Sequence, residues 1–310
     1  MRSWGRREVL RSLMAAAACG ASLPRALAAS KPASPLTTQR LTAQTALISG
    51  AGSNVLVTRS ADGLIVVDGG LLAHRAALLA AIEREFPRLP IAWLFNTHWH
   101  REQTGLNEWV GPRGGIVCAH ENTRLWLATE YYVDWQDRTY EPLPRAAWPT
   151  RTFYGANERA SIGGRPLTFG HLGDPHTDGD LYVHLADEDI LAVGGALTPG
   201  AYPMMDYATG GWLGGVVDAS RFLLGIATAR TRIVASDGAV VARPALEEQL
   251  ALATTLRERI STQIKLGKSV TDMLEEGLTR DFDARYGDPA FFLRSSYRGL
   301  WGHIRDLGIA

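Results

Sequence analysis

Residues 96–105 read Asn96-Thr97-His98-Trp99-His100-Arg101-Glu102-Gln103-Thr104-Gly105, directly after the apolar run Ile91 to Phe95. Five consecutive apolar residues predict a buried strand, and the polar, His-rich stretch begins where that strand ends. In extended backbone, side chains two positions apart point the same way, so His98 and His100 can reach one ion. Imidazole is a favoured zinc ligand, and three protein ligands plus water is the usual catalytic arrangement. A third ligand is offered by His176, within Gly173-Asp174-Pro175-His176-Thr177-Asp178-Gly179-Asp180, a turn-rich loop that feeds a strand. A lone histidine is ordinarily a surface or hydrogen-bonded residue. Two at this spacing after a strand, with acidic and amide side chains following and a second motif downstream, point to a metal.

Outward from this motif, strand and helix signals alternate. Asn54 to Thr58 and Leu64 to Val67 are short β-branched runs separated by Ala61-Asp62-Gly63, a hairpin signal. Leu71 to Phe86 carries apolar residues at helical spacing and stops before Pro87. Further strands are expected at Ile116 to Ala119, Leu167 to Phe169, Leu181 to Leu185, Ile190 to Val193 and Arg232 to Ala235. Helices are expected at Glu121 to Val133, Val216 to Ala229 and Pro244 to Leu266, with the remainder mainly helical. Strands interspersed with helices imply an α/β protein, its sheets flanked by helices.

The chain has 310 residues, 46% apolar and 21% charged, which suits a single globular α/β domain. Of its 32 basic and 32 acidic side chains, five Arg and one Glu lie in the first 28 residues. The rest therefore holds 27 basic and 31 acidic groups, a net of −4. A mildly acidic body without a basic stripe argues against nucleic acid as a partner.

Residues 1–28 resemble a twin-arginine signal peptide: Arg6-Arg7, then an uncharged Ala-rich run from Ser12 to Leu23, then Ala26-Leu27-Ala28 for the peptidase. The apolar run is about half of the roughly 20 residues a stable span requires, so no membrane span is expected once the signal is removed. Such a signal implies the twin-arginine export machinery as a partner and a periplasmic destination for an already folded protein. A lipoprotein is disfavoured, because Cys19 lacks a Leu three residues earlier. Residues 29–40, rich in Ser, Pro and Thr, read as a linker. Removal of the signal leaves Cys118 as the single thiol, in an apolar strand-like run where it serves as a small buried hydrophobe.

The segment 41–245 resembles the metallo-β-lactamase superfamily in motif order. Gly50 to Gly70 matches its opening hairpin, with Asp68 at the family's buried aspartate. Two leading histidines of the His-x-His-x-Asp-His motif are matched by His98 and His100, and the second motif by His176-Thr177. The resemblance implies a four-layer αββα sandwich, with residues 246–310 as a C-terminal helical extension packed on the same domain. It also implies a metal-dependent hydrolase of a small-molecule substrate.

Departures from the pattern are confined to the second metal site. Glu102 and Gln103 stand where the family has Asp and His. Gly194-Gly195 stands where the metal-bridging Asp belongs, and Asp237, in Ser236-Asp237-Gly238, replaces the last His. One zinc ion on His98, His100 and His176 is therefore expected. Glu102, Gln103 and Asp237 offer a doubtful second site that is rich in oxygen and better suited to a hard ion. Zinc-bound water has its pKa lowered to about 7, supplying hydroxide, with Glu102 as general base or orienting group.

Asp68 either orients the metal loop from behind or caps a turn before Gly69-Gly70. His120 fits a helix cap, His171 an alternative ligand, and His74, His184 and His303 need no functional role. The aromatic residues Trp126, Tyr131, Tyr132, Trp135 and Tyr140 fit the core, whereas Tyr202, Tyr207 and Trp212 fit either the core or a loop over the site. A hydrolase on an ester, thioester, lactone, amide or phosphoester leads. A metal- or ligand-binding periplasmic protein without turnover is the rival, and an iron oxygenase ranks last because its carboxylate would be Gly195.

Overall fold

Alternation along the strands builds the fold. In the computed structural model, which describes residues 36–303 in one compact unit, successive strand residues are buried on opposite faces. Strands β1 (Thr37–Arg40), β2 (Thr45–Ser49), β3 (Val55–Ser60) and β4 (Gly63–Val67) pair as an antiparallel meander. Parallel strands β5 (Ile91–Phe95) and β6 (Ile116–His120) continue that sheet. A small antiparallel hairpin, β7 (Tyr131–Val133) and β8 (Arg138–Tyr140), stands apart, and β9 (Arg151–Phe153) closes the first sheet. The second sheet runs β10 (Glu158–Ile162), β11 (Arg165–His171), β12 (Leu181–Leu185), β13 (Ile190–Gly194) and β14 (Arg232–Ala235), with only its last pair parallel.

Ala46, Ile48, Val55, Val57, Leu64 and Val66 face outward onto helix α1 (Arg75–Glu85), where Leu78, Ile82 and Phe86 complete one core. Their neighbours Leu47, Leu56, Ile65, Val67 and Phe95 face inward and meet Leu167, Phe169, Val183, Leu185 and Ala192 of the second sheet. Both faces of both sheets are thus apolar, the pattern of sheets covered on each side. After the turn-forming α2 (Arg101–Thr104), α3 (Asn107–Val110) and α4 (Glu121–Ala128), helix α5 (Leu213–Ile226) covers the far side. There Ala219 and Leu223 pack on Tyr182, Leu191, Val193 and Ile233. This is the four-layer αββα sandwich.

The C-terminal helices α6 (Arg243–Lys265), α7 (Val270–Glu275), α8 (Arg280–Tyr286) and α9 (Ala290–Gly302) add a further apolar cluster. Leu252, Leu256, Ile260, Met273, Phe292 and Leu300 meet Leu213 and Val216 of α5 in it. No helix of the described residues is long and apolar enough to cross a membrane.

Two expectations are corrected. The linker ends sooner than position 40, because Thr37–Arg40 is edge strand β1, in register with Ala46 to Ser49. The helix expected to reach Val133 stops at Ala128: Thr129 adopts extended backbone, and Tyr131–Val133 turns into the β7–β8 hairpin. The expected signal peptide, Cys19 and linker residues 29–35 lie outside the described residues.

Candidate metal centre

The loop after β5 is held rigid before any histidine is considered. Asn96 and Asn107 exchange side-chain amide hydrogen bonds at 2.9 and 3.0 Å, and Asn96 also donates to the Gln103 carbonyl. Trp99 is fully buried and donates its indole N–H to Thr209 Oγ1. Residues 97–100 form bends beyond the strand end, and the Trp99 ring stands edge-on to that of His100 with centroids 4.3 Å apart. On the second loop, the Asp180 carboxylate accepts the backbone N–H groups of His176 and Thr177 and the Thr177 hydroxyl. That fixes the turn presenting His176.

The three rings come together, buried, with centroids 4.6–4.8 Å apart and planes close to perpendicular. They are the one group of potential metal-ligating side chains of this kind among the described residues. Each outer nitrogen has a partner that dictates the tautomer. Thr97 Oγ1 donates to Asp68 Oδ2 at 2.9 Å, so its lone pair accepts the His98 Nδ1–H at 3.1 Å. His100 Nε2–H donates to Asp206 Oδ2 at 3.1 Å, and His176 Nδ1–H to the Met204 carbonyl at 2.8 Å. His98 Nε2, His100 Nδ1 and His176 Nε2 are left with lone pairs.

Two of these, His100 Nδ1 and His176 Nε2, lie 3.1 Å apart. Lone pairs at that distance repel unless a cation is shared between them. Two tetrahedral zinc ligands at 2.0–2.1 Å from the ion would be separated by about 3.3 Å. The donor set therefore fits a metal ion. Burial, then the neighbouring histidines, holds His98 well below the usual imidazole pKa, and burial lowers His100 against the pull of Asp206. Both rings are thereby kept neutral, the form a metal requires.

Asp68 sits behind this arrangement. It occupies left-handed backbone (φ 64°), which Asp tolerates better than most residues, and holds Thr97 by both its N–H and its hydroxyl. Burial pushes its carboxyl up to about 8, against the two Thr97 hydrogen bonds. It does not reach the cavity in front of the histidines, so it positions the loop and does not act on substrate.

That cavity, about 470 Å³, is lined by all three histidines together with Glu102, Gln103 and Asp237. The three residues expected at a second site thus share one space with the three histidines, but none joins their cluster. Gly195 explains part of this. A Cβ there would fall 2.3 Å from His176 Cδ2, so the ring fills the space a side chain would need. Gln103 donates from Nε2 to Ser236 Oγ at 3.4 Å, and its buried Oε1 has no partner.

Asp206 was not anticipated. It is fully buried, and burial raises its carboxyl, but hydrogen bonds from His100 and Trp135 outweigh that and hold it below the usual range. The loop around it was singled out for its aromatic rings. Its backbone, Met204 and Asp206 are what reach the site; Tyr202 and Trp212 pack among the C-terminal helices. Nothing in local spacing marks Asp206, which meets His100 across 106 positions. Asp206→Asn should weaken metal binding by about 10–100-fold, the usual cost of losing a group that orients a ligand. Competition against a chelator measures it, and unchanged affinity would remove Asp206 from the centre.

Two of the other histidines, His120 and His171, pack against each other. His120 caps α4 by accepting the Asn122 N–H, and His171 stacks on it at 3.9 Å; neither joins the three-histidine cluster. Cys118 is buried between the sheets, and its thiol is pushed up to about 12.

An αββα sandwich whose strand-end loops gather three tautomerically fixed histidines defines a metallohydrolase fold. The chain belongs to the metallo-beta-lactamase superfamily, whose family model matches residues 48–256. Among solved structures, a metallo-beta-lactamase from Pontibacter korlensis matches with TM-score 0.58 and 21% identity, over 71% of this chain and 99% of that one. The inverting sec-alkylsulfatase Pisa1 from Pseudomonas sp. matches with TM-score 0.66 and 15% identity, over 85% of this chain but 50% of its own. The mono-zinc form of the metallo-beta-lactamase FIM-1 from Pseudomonas aeruginosa matches with TM-score 0.56 and 18% identity, over 71% and 96%. Identities this low establish likeness of fold. No curated protein matches the chain.

Proposed function

We propose that the protein is an exported hydrolase that works with one zinc ion on a small ester, thioester, lactone, amide or phosphoester. The observation that carries this is the pair of inward lone pairs on His100 and His176, 3.1 Å apart, with every outer nitrogen of the three rings engaged. A neutral three-imidazole set suits zinc among the common ions. Zinc held there supplies Lewis-acid activation of water near neutral pH.

The chain's own residues do the rest. Glu102 faces the cavity, where its carboxylate takes the proton from the attacking water and returns it to the leaving group. Leu197, Pro199 and Met204 form an apolar wall beside the histidines and restrict water around the scissile bond. The Arg6-Arg7 pair and Ala26-Leu27-Ala28 support export through the twin-arginine machinery to the periplasm.

Glu102→Gln should lower kcat by about a hundredfold, the smaller end of a general base's contribution, while the ion is kept. Assays of the zinc-loaded variant on small esters, thioesters and lactones test it; unchanged turnover would remove Glu102 from the mechanism. The rival, a metal- or ligand-binding protein without turnover, draws on Gly195, which leaves no carboxylate beside His176. Inactivity of the loaded wild type on the whole panel would favour it.

A further inference from the structure

The turn of the β7–β8 hairpin, Asp134–Gln136, gives three consecutive side chains three different partners. Asp134 Oδ1 accepts the Tyr207 hydroxyl at 2.8 Å. Trp135 donates its indole N–H to Asp206 Oδ1 at 2.9 Å. Gln136 lines the cavity in front of the histidines and accepts the Tyr140 hydroxyl at 2.5 Å. The first two bonds staple the hairpin to the loop that carries Asp206. That fully buried carboxylate accepts the His100 Nε2–H on its other oxygen. An unbroken set of hydrogen bonds therefore runs from the hairpin to one of the three histidines.

Trp135 matters within this set because of what Asp206 needs. A carboxylate cut off from solvent must be held by fixed donors, or it turns about its Cβ–Cγ bond and offers His100 a poorer acceptor. On Oδ1 those donors are the Trp135 indole and the Ala208 N–H, the latter longer at 3.2 Å. An indole has one donor and no acceptor, so the whole polar capacity of Trp135 is committed to Asp206. Its ring is backed by Phe291 of α9, with centroids 4.9 Å apart and planes tilted by 58°. The C-terminal extension thus reaches the histidine cluster through one aromatic pair.

We propose that Trp135 is a positioning residue of the metal centre: its indole N–H holds Asp206, Asp206 holds His100, and Phe291 keeps the indole in place. The β7–β8 hairpin and helix α9 thereby set the direction of a ligand that neither of them supplies. Because Gln136 is the next residue, the same turn also borders the space a substrate would occupy. The proposal rests on the three-histidine centre and not on turnover.

The test is zinc and cobalt(II) binding by the full chain, read by chelator competition and by the visible absorption bands of the cobalt(II) form. Trp135→Phe keeps a ring against Phe291 but removes the donor. It should weaken zinc binding by about tenfold, the smaller end of what a group orienting a ligand contributes, and alter the cobalt(II) bands. Phe291→Ala should weaken binding by about threefold in the wild type, the worth of an aromatic pair, and by nothing further in the Trp135→Phe background. Tyr132→Phe, on the same hairpin but bonded to Asp137, should change neither reading. Unchanged affinity and bands in Trp135→Phe would overturn the proposal. Equal losses in Tyr132→Phe would overturn it too, by assigning the effect to general loosening of the hairpin. Fully additive losses from Trp135→Phe and Phe291→Ala would remove Phe291 from it. A wild type that binds no metal would sink the centre and this proposal together, whereas the expected metal readings without turnover of any substrate would sink the hydrolase reading alone.

Discussion

Replacing His98 or His176 by Ala is expected to strip the chain of its ion and abolish turnover, with the fold retained. The four ligands of a structural zinc site contribute about 10–16 kcal/mol together, so each carries roughly 3 kcal/mol, or about a hundredfold in affinity. The loss here should exceed that figure, because each ring is one of only three protein ligands. Its partners are also left behind: Thr97 Oγ1 loses the His98 N–H, and the Met204 carbonyl loses that of His176. Equilibrium dialysis with metal analysis reads the loss, and far-ultraviolet circular dichroism checks the fold. Full metal content in both variants would show that the ion sits elsewhere.

Gly195→Asp should also empty the site, although it adds the carboxylate that the family pattern places there. The new Cβ would overlap His176 at 2.3 Å from Cδ2 and 2.6 Å from Cγ. The ring can yield only by giving up the bond from Nδ1 to Met204 or the bond from its backbone N–H to Asp180. Displacement of a ligand by about 1 Å can cost a hundredfold where geometry is tight. Loss of the single ion is therefore expected, not gain of a second. Two tightly bound ions per chain in this variant would mean that the glycine is not held by packing.

The three-histidine cluster could be read from sequence because its signal is local. His98 and His100 share one strand-like periodicity, and His176 sits in its own turn motif. The four layers could be inferred only through the family pattern, because period-2 burial on both faces of β2 to β4 looks like plain apolar sequence. Asp206 was hidden because its role is a tertiary contact with no fixed spacing from His100. Strand β1 was hidden for a different reason. Thr37–Arg40 is an edge strand with mostly exposed side chains, so its composition is that of a linker while its backbone pairs with β2. The β7–β8 hairpin was masked by aromatic residues whose spacing extends that of α4, where only extended backbone at Thr129 marks the change.

Metal content per chain, by plasma mass spectrometry on protein purified from its native host, tests the three-histidine centre most directly. One zinc ion per chain is the predicted result. A folded protein that holds no metal and takes none up on reloading would contradict it.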